Sequence, residues 1–127
     1  MGTVGGVERN IPAPLDGGTM VARTTPEEVA RRLSEEPESL LLLDVREDEE
    51  RVTAAIQPSI HIPMYEVPER LAEIPRDREV IVYCHHGSRS EMVAGFLEGE
   101  GYARVTNLSG GIDAWSAQVD RKVPRYT

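Results

Sequence analysis

The stretch that decides the fold is Val80-Ile81-Val82-Tyr83-Cys84-His85-His86-Gly87-Ser88-Arg89-Ser90. Its first four residues are apolar and β-branched or aromatic, which is typical of a strand buried on both faces. The strand runs directly into Cys84, and a helix is predicted from Ser88 to about Gly99. The residues of this helix predicted to face inward are Met92, Val93, Phe96 and Leu97.

The flanking sequence continues the alternation of strands and helices. Thr24 or Thr25 can cap a first helix that has Pro26 in its first turn and stops at Pro37. Because strands that alternate with helices form βαβ units, the pattern predicts an α/β fold, with a parallel sheet covered by helices on both faces. Further strands are predicted at 40–43, 59–62 and 105–108, and further helices at 47–53, at 112–119 and between Val67 and Pro75.

Length and composition restrict the classes of function. The 127 residues fit one domain, and residues 1–20 are rich in Gly and Pro, so we predict a flexible N-terminal arm before a domain at 21–127. A net charge of −8 argues against nucleic-acid binding, which depends on phosphate neutralisation. The longest aliphatic run, Leu40 to Leu43, is too short for a membrane span, so no membrane partner is expected.

The cysteine count narrows the chemistry further. Cys84 is the single cysteine, which excludes an internal disulfide, a dithiol redox pair and zinc sites that need several cysteines. We therefore expect no metal and no cofactor. Because residues 1–10 lack the apolar core of a signal peptide, a cytoplasmic location is expected.

The loop from Cys84 to Ser90 combines features that favour a reactive thiolate. A helix start offers unpaired N–H groups, and Gly87 allows a tight turn that directs successive amides inward. Arg89 adds a cation, and His85 and His86 add positive charge below neutral pH. Cys84 is therefore predicted to be a nucleophile rather than a small buried hydrophobe. Ser88 and Ser90 can donate to its sulfur or simply cap the helix.

These residues resemble the active-site loop of single-domain rhodaneses, which are thiosulfate and persulfide sulfurtransferases. The resemblance covers about residues 22–126. It includes Asp44-Val45-Arg46-Glu47 with Glu50, Ile60-His61-Ile62-Pro63, and the run from Asn107 to Trp115. Two pairs depart from the family pattern, Ala54-Ala55 and Gln57-Pro58, and both lie away from the loop. The ending 119–126 is similar to rhodanese domains fused to enzymes that activate sulfur-carrier proteins.

The resemblance implies a rhodanese-like three-layer sandwich with about five strands in a mainly parallel sheet. It also implies a ping-pong reaction through a Cys84 persulfide. The donor would be a small sulfur-containing anion such as thiosulfate, or a persulfide, and the acceptor a thiol, cyanide or a sulfur-carrier protein. Substrate binding would fall to the remaining loop residues, namely His85, His86, Gly87, Ser88, Arg89 and Ser90.

Two other functions stay open at this point. Cysteine-dependent phosphatases of the related dual-specificity type, and arsenate reductases, are the first alternative. The phosphatase loops have one residue more between Cys and Arg than the four, His85 to Ser88, present here, so this loop makes a smaller ring of donors. The second alternative is a rhodanese-like interaction domain without catalysis, against which the presence of Cys84 and Arg89 argues.

Several other residues admit a structural explanation beside a functional one. Asp44 and Arg46 can act on a substrate, but an ion pair that ties the strand ends together is favoured. A zinc site formed by His61 with the two loop histidines is disfavoured because neighbouring imidazoles rarely converge on one ion. We expect Gly110-Gly111 to let the last helix begin close to the Cys84 loop, and Trp115 to pack in the core.

Overall fold

A computed structural model describes residues 21–126 of the chain. The strands are β1 (Ala22–Thr24), β2 (Leu40–Asp44), β3 (Ile60–His61), β4 (Glu79–Tyr83) and β5 (Val105–Leu108). The α-helices are α1 (Pro26–Glu35), α2 (Asp48–Thr53), α3 (Ser88–Gly99) and α4 (Gly111–Gln118), and short 3₁₀ helices cover Pro37–Ser39, Met64–Glu66 and Pro68–Glu73. The sheet order is β1-β5-β4-β2-β3 with parallel neighbours throughout, which confirms the predicted fold class.

Two hydrophobic cores lie on opposite faces of this sheet. Because side chains alternate along a strand, Val80, Val82 and Cys84 enter one core, which also contains residues of α3. Ile81 and Tyr83 enter the other core, which contains residues of α1 and α4. Both faces of β4 are therefore covered, and this explains why its sequence is continuously apolar.

The helix starts follow the capping chemistry of the sequence. Thr25 is the N-cap of α1, and its hydroxyl oxygen accepts a hydrogen bond from the Glu28 N–H at 3.2 Å. Helix α2 begins with a capping box. The Glu47 side chain accepts a hydrogen bond from the backbone N–H of Glu50, and the Glu50 side chain accepts one from the backbone N–H of Glu47. Glu50 is therefore held firmly at the start of a short helix.

Three local expectations were wrong or incomplete. Strand β1 was not predicted, because two of its three residues are exposed and it pairs only with β5. The segment predicted as a helix between Val67 and Pro75 is 3₁₀ over Pro68–Glu73, and the non-helical dihedrals of Arg70 interrupt it. Met92 is 65% exposed rather than inward-facing, because the face of α3 turned to the sheet carries the buried residues Ser90, Val93, Ala94 and Leu97.

The predicted N-terminal arm, residues 1–20, lies outside the described residues. Trp115 is buried in the core, as expected. None of the helices formed by residues 21–126 has the length and apolar content that crossing a membrane requires.

Gly111 brings α4 against the Cys84 loop, which confirms the expectation for the Gly110-Gly111 pair. The Ile112 N–H donates to the Cys84 carbonyl oxygen at 2.9 Å, and the Asp113 N–H donates to that of His85 at 3.1 Å. Gly111 has φ +60°, and a Cβ atom there would overlap the backbone carbonyls of Cys84 and His85. Only glycine allows this approach of helix to loop.

We predict that Gly111→Ala lowers the free energy of unfolding by about 2–4 kcal/mol, because the added methyl group meets backbone atoms in a left-handed conformation. Urea denaturation of the purified chain measures this loss. Gly99→Ala is the matched control, since a Cβ atom at Gly99 meets nothing within 4 Å. Equal stabilities of the two variants would contradict the close approach.

Candidate active site

The Cys84 loop joins β4 to α3 by a turn that only a glycine adopts easily. Gly87 is the N-cap of α3 and has φ +118° and ψ −13°, in the left-handed region. This conformation folds the chain back over Cys84 and starts the helix at Ser88. The sulfur of Cys84 therefore lies at the N-terminus of α3, where backbone N–H groups lack partners within the helix.

Three donors converge on the Cys84 sulfur. The Gly87 N–H lies 3.0 Å from Sγ, the Ser90 N–H lies 3.3 Å from it, and the Ser90 hydroxyl oxygen lies at 3.4 Å. Cys84 itself is 1% exposed, so these bonds act with little competition from water. Hydrogen bonds from amides at a helix start stabilise negative charge on the sulfur.

Asn107, at the carboxyl end of the neighbouring strand β5, supports two of these donors. Its Nδ2 donates to the Gly87 carbonyl oxygen at 3.2 Å, and its Oδ1 accepts a short hydrogen bond from the Ser90 hydroxyl. Asn107 and Ser90 are both buried. The Ser90 hydroxyl has one proton and three acceptors within reach, of which Asn107 Oδ1 is the nearest, the Gly87 carbonyl oxygen the next and Cys84 Sγ the farthest.

Arg89 points its guanidinium group to Glu50 of α2. Its two terminal nitrogens donate to the two carboxylate oxygens at 2.7 and 2.9 Å. These bonds, opposed by partial burial, hold the pKa of Glu50 down at about 2. The predicted cation of the loop is therefore present, but it is paired within the protein.

A stack of three aromatic rings covers one side of the loop. The Tyr126 ring lies on the His85 ring with centroids 3.9 Å apart, and His85 lies on His86 at the same spacing. Desolvation, with the neighbouring His86, lowers the pKa of His85, which keeps its ring neutral at physiological pH. These rings line an open cleft together with Asp113 and Arg125.

The hydroxyl of Tyr126 connects Arg46 to the Glu50 partner of Arg89. It donates to Glu50 Oε1 at 2.8 Å and accepts from Arg46 Nη1 at 2.8 Å. Burial raises the pKa of Tyr126 to about 12, so the hydroxyl keeps its proton. The segment after α4 therefore contacts one carboxylate oxygen of Glu50, and the Glu47 N–H contacts the other.

Asp44 and Arg46 form a fully buried, bidentate ion pair with N–O distances of 2.8 and 2.7 Å. Burial alone would raise the pKa of Asp44, but the hydrogen bonds and positive charge of Arg46, together with a hydrogen bond from Arg51, hold the pKa below its usual value. Arg46 also donates to the Ala54 carbonyl oxygen, so the pair ties β2 to the segment after α2. Neither group projects a free charge towards the Cys84 sulfur.

His85 and His86 lie beside Asp113, and these three residues are possible metal ligands by type and spacing. The nitrogen and oxygen atoms of His85, His86 and Asp113 lie within 4.8 Å of one another. The two histidine rings are stacked, and Arg125 donates to both oxygens of the Asp113 carboxylate at 3.0 and 2.8 Å, so this carboxylate is already engaged by a cation. His61 is not part of this group, because its Nε2 bonds the Arg46 carbonyl oxygen at 2.7 Å.

The residues predicted from the sequence to form the site thus occupy different positions in the structure. Cys84, Gly87 and Ser90 meet around the sulfur, Arg89 turns to Glu50, His85 lies in the aromatic stack, and His86 and Ser88 are exposed. Sequence reasoning did not assign site roles to Glu50, Asn107 or Tyr126. The capping-box spacing between Glu47 and Glu50 could have indicated Glu50. Asn107 could have been found from its position at the carboxyl end of β5, where sites of parallel sheets lie.

Comparison with known proteins agrees with this architecture. The Rhodanese-like domain family matches residues 25–118. A sulfurtransferase of Allochromatium vinosum is 40% identical over 97 residues, which cover 76% of this chain and 90% of the relative. The thiosulfate sulfurtransferase GlpE of Pseudomonas savastanoi is 30% identical, with 72% of this chain and 85% of the relative covered.

Solved structures give the same result. A rhodanese-like domain protein from Staphylococcus aureus superposes with a TM-score of 0.72 at 28% identity, over 84% of this chain and all of that one (100%). A rhodanese-related protein from Thermoplasma volcanium has a TM-score of 0.68 at 31% identity, over 77% of this chain and 93% of that one. The chain therefore belongs to the rhodanese-like domain family, and the relatives that it matches include sulfurtransferases.

Proposed function

We propose that this protein is a sulfurtransferase that takes sulfane sulfur from thiosulfate or a persulfide and carries it as a persulfide on Cys84. The observation that supports this most is the convergence of the Gly87 and Ser90 donors on the Cys84 sulfur. A thiolate held in this way is oriented for attack. After transfer the negative charge lies on the added sulfur, and the same donors can hydrogen-bond that sulfur.

In the first half-reaction, the Cys84 thiolate attacks the outer sulfur of the donor. The new S–S bond forms as the bond within the donor breaks, and the electron pair leaves with sulfite from thiosulfate, or with a thiolate from a persulfide. In the second half-reaction, cyanide or a thiolate, borne by a small molecule or by a carrier protein, attacks the terminal sulfur of the Cys84 persulfide. The bond between the two sulfurs breaks as thiocyanate or a new persulfide forms, and the electron pair of that bond restores the Cys84 thiolate. One cysteine suffices for this cycle, and the reaction needs no cofactor.

The loop residues have distinct roles in this proposal. The amides of Gly87 and Ser90 hold the transferred sulfur, and Arg89 sets the electrostatic potential that a charged donor meets. His85 and His86 line the open cleft beside the loop, and we propose that donor and acceptor approach through this cleft. Asp44 and Arg46 are structural, because their charges are satisfied by each other. We place the reaction in the cytoplasm, where thiols remain reduced.

The phosphatase alternative fits the geometry less well. A phosphoryl group needs several donors around tetrahedral, charged oxygens, together with a free guanidinium group. Here three donors already meet at one sulfur atom, and the Arg89 fork is engaged by Glu50. The non-catalytic alternative leaves unexplained why these donors converge on the one cysteine.

We expect incubation with thiosulfate to add one sulfur atom to the protein, and cyanide to remove it with release of thiocyanate. Intact-mass spectrometry of the purified chain detects the adduct directly. Cys84→Ser serves as the control and should show no adduct, because it lacks the nucleophile. An adduct of equal yield in Cys84→Ser would defeat the proposal, as would the lack of any adduct in the parent protein with both thiosulfate and a persulfide. Turnover of para-nitrophenyl phosphate that depends on Cys84 would favour the phosphatase instead.

We predict that Arg89→Ala lowers kcat/KM for dianionic thiosulfate about tenfold, and that for a persulfide of lower charge much less. The substitution removes a cation from the loop and leaves the Glu50 carboxylate unpaired beside it. Steady-state assays with thiosulfate and N-acetylcysteamine persulfide measure the two values. Arg31→Ala, which breaks exposed ion pairs on α1, is the control and should change neither value. An equal loss with both donors would mean that Arg89 only shapes the loop.

A further inference from the structure

The arginines nearest the Cys84 loop already have carboxylate partners among residues 21–126. Arg89 is paired with Glu50, and the buried Arg46 is paired with Asp44. Arg125, at the edge of the cleft, is paired with Asp113. The site therefore offers hydrogen-bond donors to a sulfur atom, but each of these cations is compensated by an anion within the protein.

Glu50 is the residue that compensates the loop cation, and it is fixed in place by four contacts. Two come from Arg89, one from the Glu47 N–H at 3.0 Å and one from the Tyr126 hydroxyl at 2.8 Å. Its side chain is only 18% exposed. Because the pKa of Glu50 is held at about 2, the carboxylate is ionised throughout the physiological range. Its negative charge is a permanent feature of the site.

The effect of the Glu50 charge on a sulfur donor depends on the charge of that donor. Thiosulfate carries two negative charges to a thiolate that is itself negative, and attack requires their close approach. A persulfide R–S–S⁻ carries one negative charge and delivers the same sulfur: Cys84–S⁻ + R–S–S⁻ gives Cys84–S–S⁻ + R–S⁻. In a site of low exposure, the difference of one charge weighs more than it does in water. The carboxylate therefore penalises thiosulfate more than a persulfide.

We propose that Glu50 is a specificity-determining residue, which neutralises Arg89 and makes the protein prefer persulfides of low charge over dianionic thiosulfate. This inference rests on the proposed Cys84 sulfurtransferase function. The preferred class of donor is then determined by the charge balance of one ion pair, Arg89 with Glu50, rather than by the shape of the loop.

The test is a charge series at this ion pair. The formal charge of the pair is zero in the parent protein, +1 in Glu50→Gln, −1 in Arg89→Ala and zero again in the double variant. We expect kcat/KM for thiosulfate to rise about tenfold in Glu50→Gln, to fall about tenfold in Arg89→Ala, and to return near the parent value in the double variant. With N-acetylcysteamine persulfide the whole series should stay within about threefold.

Glu49→Gln is the matched control, because it removes the same charge from the adjacent position of α2. Glu49 is exposed and takes part in none of the ion pairs formed by the described residues, so its removal frees no arginine. Its kcat/KM for thiosulfate should stay within about twofold of the parent value. Gln at position 50 can still accept the Glu47 N–H bond, which preserves the start of α2.

The gain with thiosulfate is the decisive result, since misfolding cannot produce it. Unchanged thiosulfate kinetics in a folded Glu50→Gln, an equal gain with both donors, or an equal gain in Glu49→Gln would overturn the inference. A parent protein that uses thiosulfate as well as the persulfide would also overturn it, and this measurement needs no variant. In each case a sulfur adduct on Cys84 would leave the proposed function standing, whereas absence of the adduct with both donors would refute that function itself.

Discussion

The hydrogen bonds from the Gly87 and Ser90 amides to the Cys84 sulfur impose the main constraint on this molecule. For both amides to reach one atom, the chain must leave β4, reverse within four residues and start a helix at once. The left-handed Gly87 provides the reversal. The buried, continuously apolar β4 provides a rigid base, since both of its faces are packed. The loop is therefore positioned by the centre of the sheet rather than by its own contacts alone.

Supports from other elements hold the loop in this conformation. The start of α4 donates two N–H bonds to the carbonyls of Cys84 and His85, which is possible because Gly111 has no side chain. Asn107 binds the Gly87 carbonyl and the Ser90 hydroxyl from β5. These contacts turn the carbonyls of the loop away from the sulfur and its amides towards it. The Cys84 sulfur consequently meets the positive ends of backbone dipoles.

The distribution of charge around the loop follows from burial. A guanidinium group that is largely removed from water needs a partner, and the chain supplies Glu50 for Arg89 and Asp44 for Arg46. Tyr126 bridges the two pairs with its hydroxyl, so a residue of the segment after α4 connects the charges that lie beside the site. The same pairing thus sets the electrostatic potential beside the Cys84 loop.

The sequence by itself determined the order of most elements, the parallel sheet, the position of Cys84 between strand and helix, and the family. These properties depend on local apolar patterns, on turn residues and on contiguous motifs, all of which are readable along the chain. Tertiary structure alone decided the pairing of β1 with β5, the exposure of Met92, the 3₁₀ conformation after Val67, and the contacts of Glu50, Asn107 and Tyr126 with the loop. The physical reason is that each depends on residues far apart in sequence. The partner of a buried charge or an edge strand is set by the packing of whole elements, not by its neighbours along the chain.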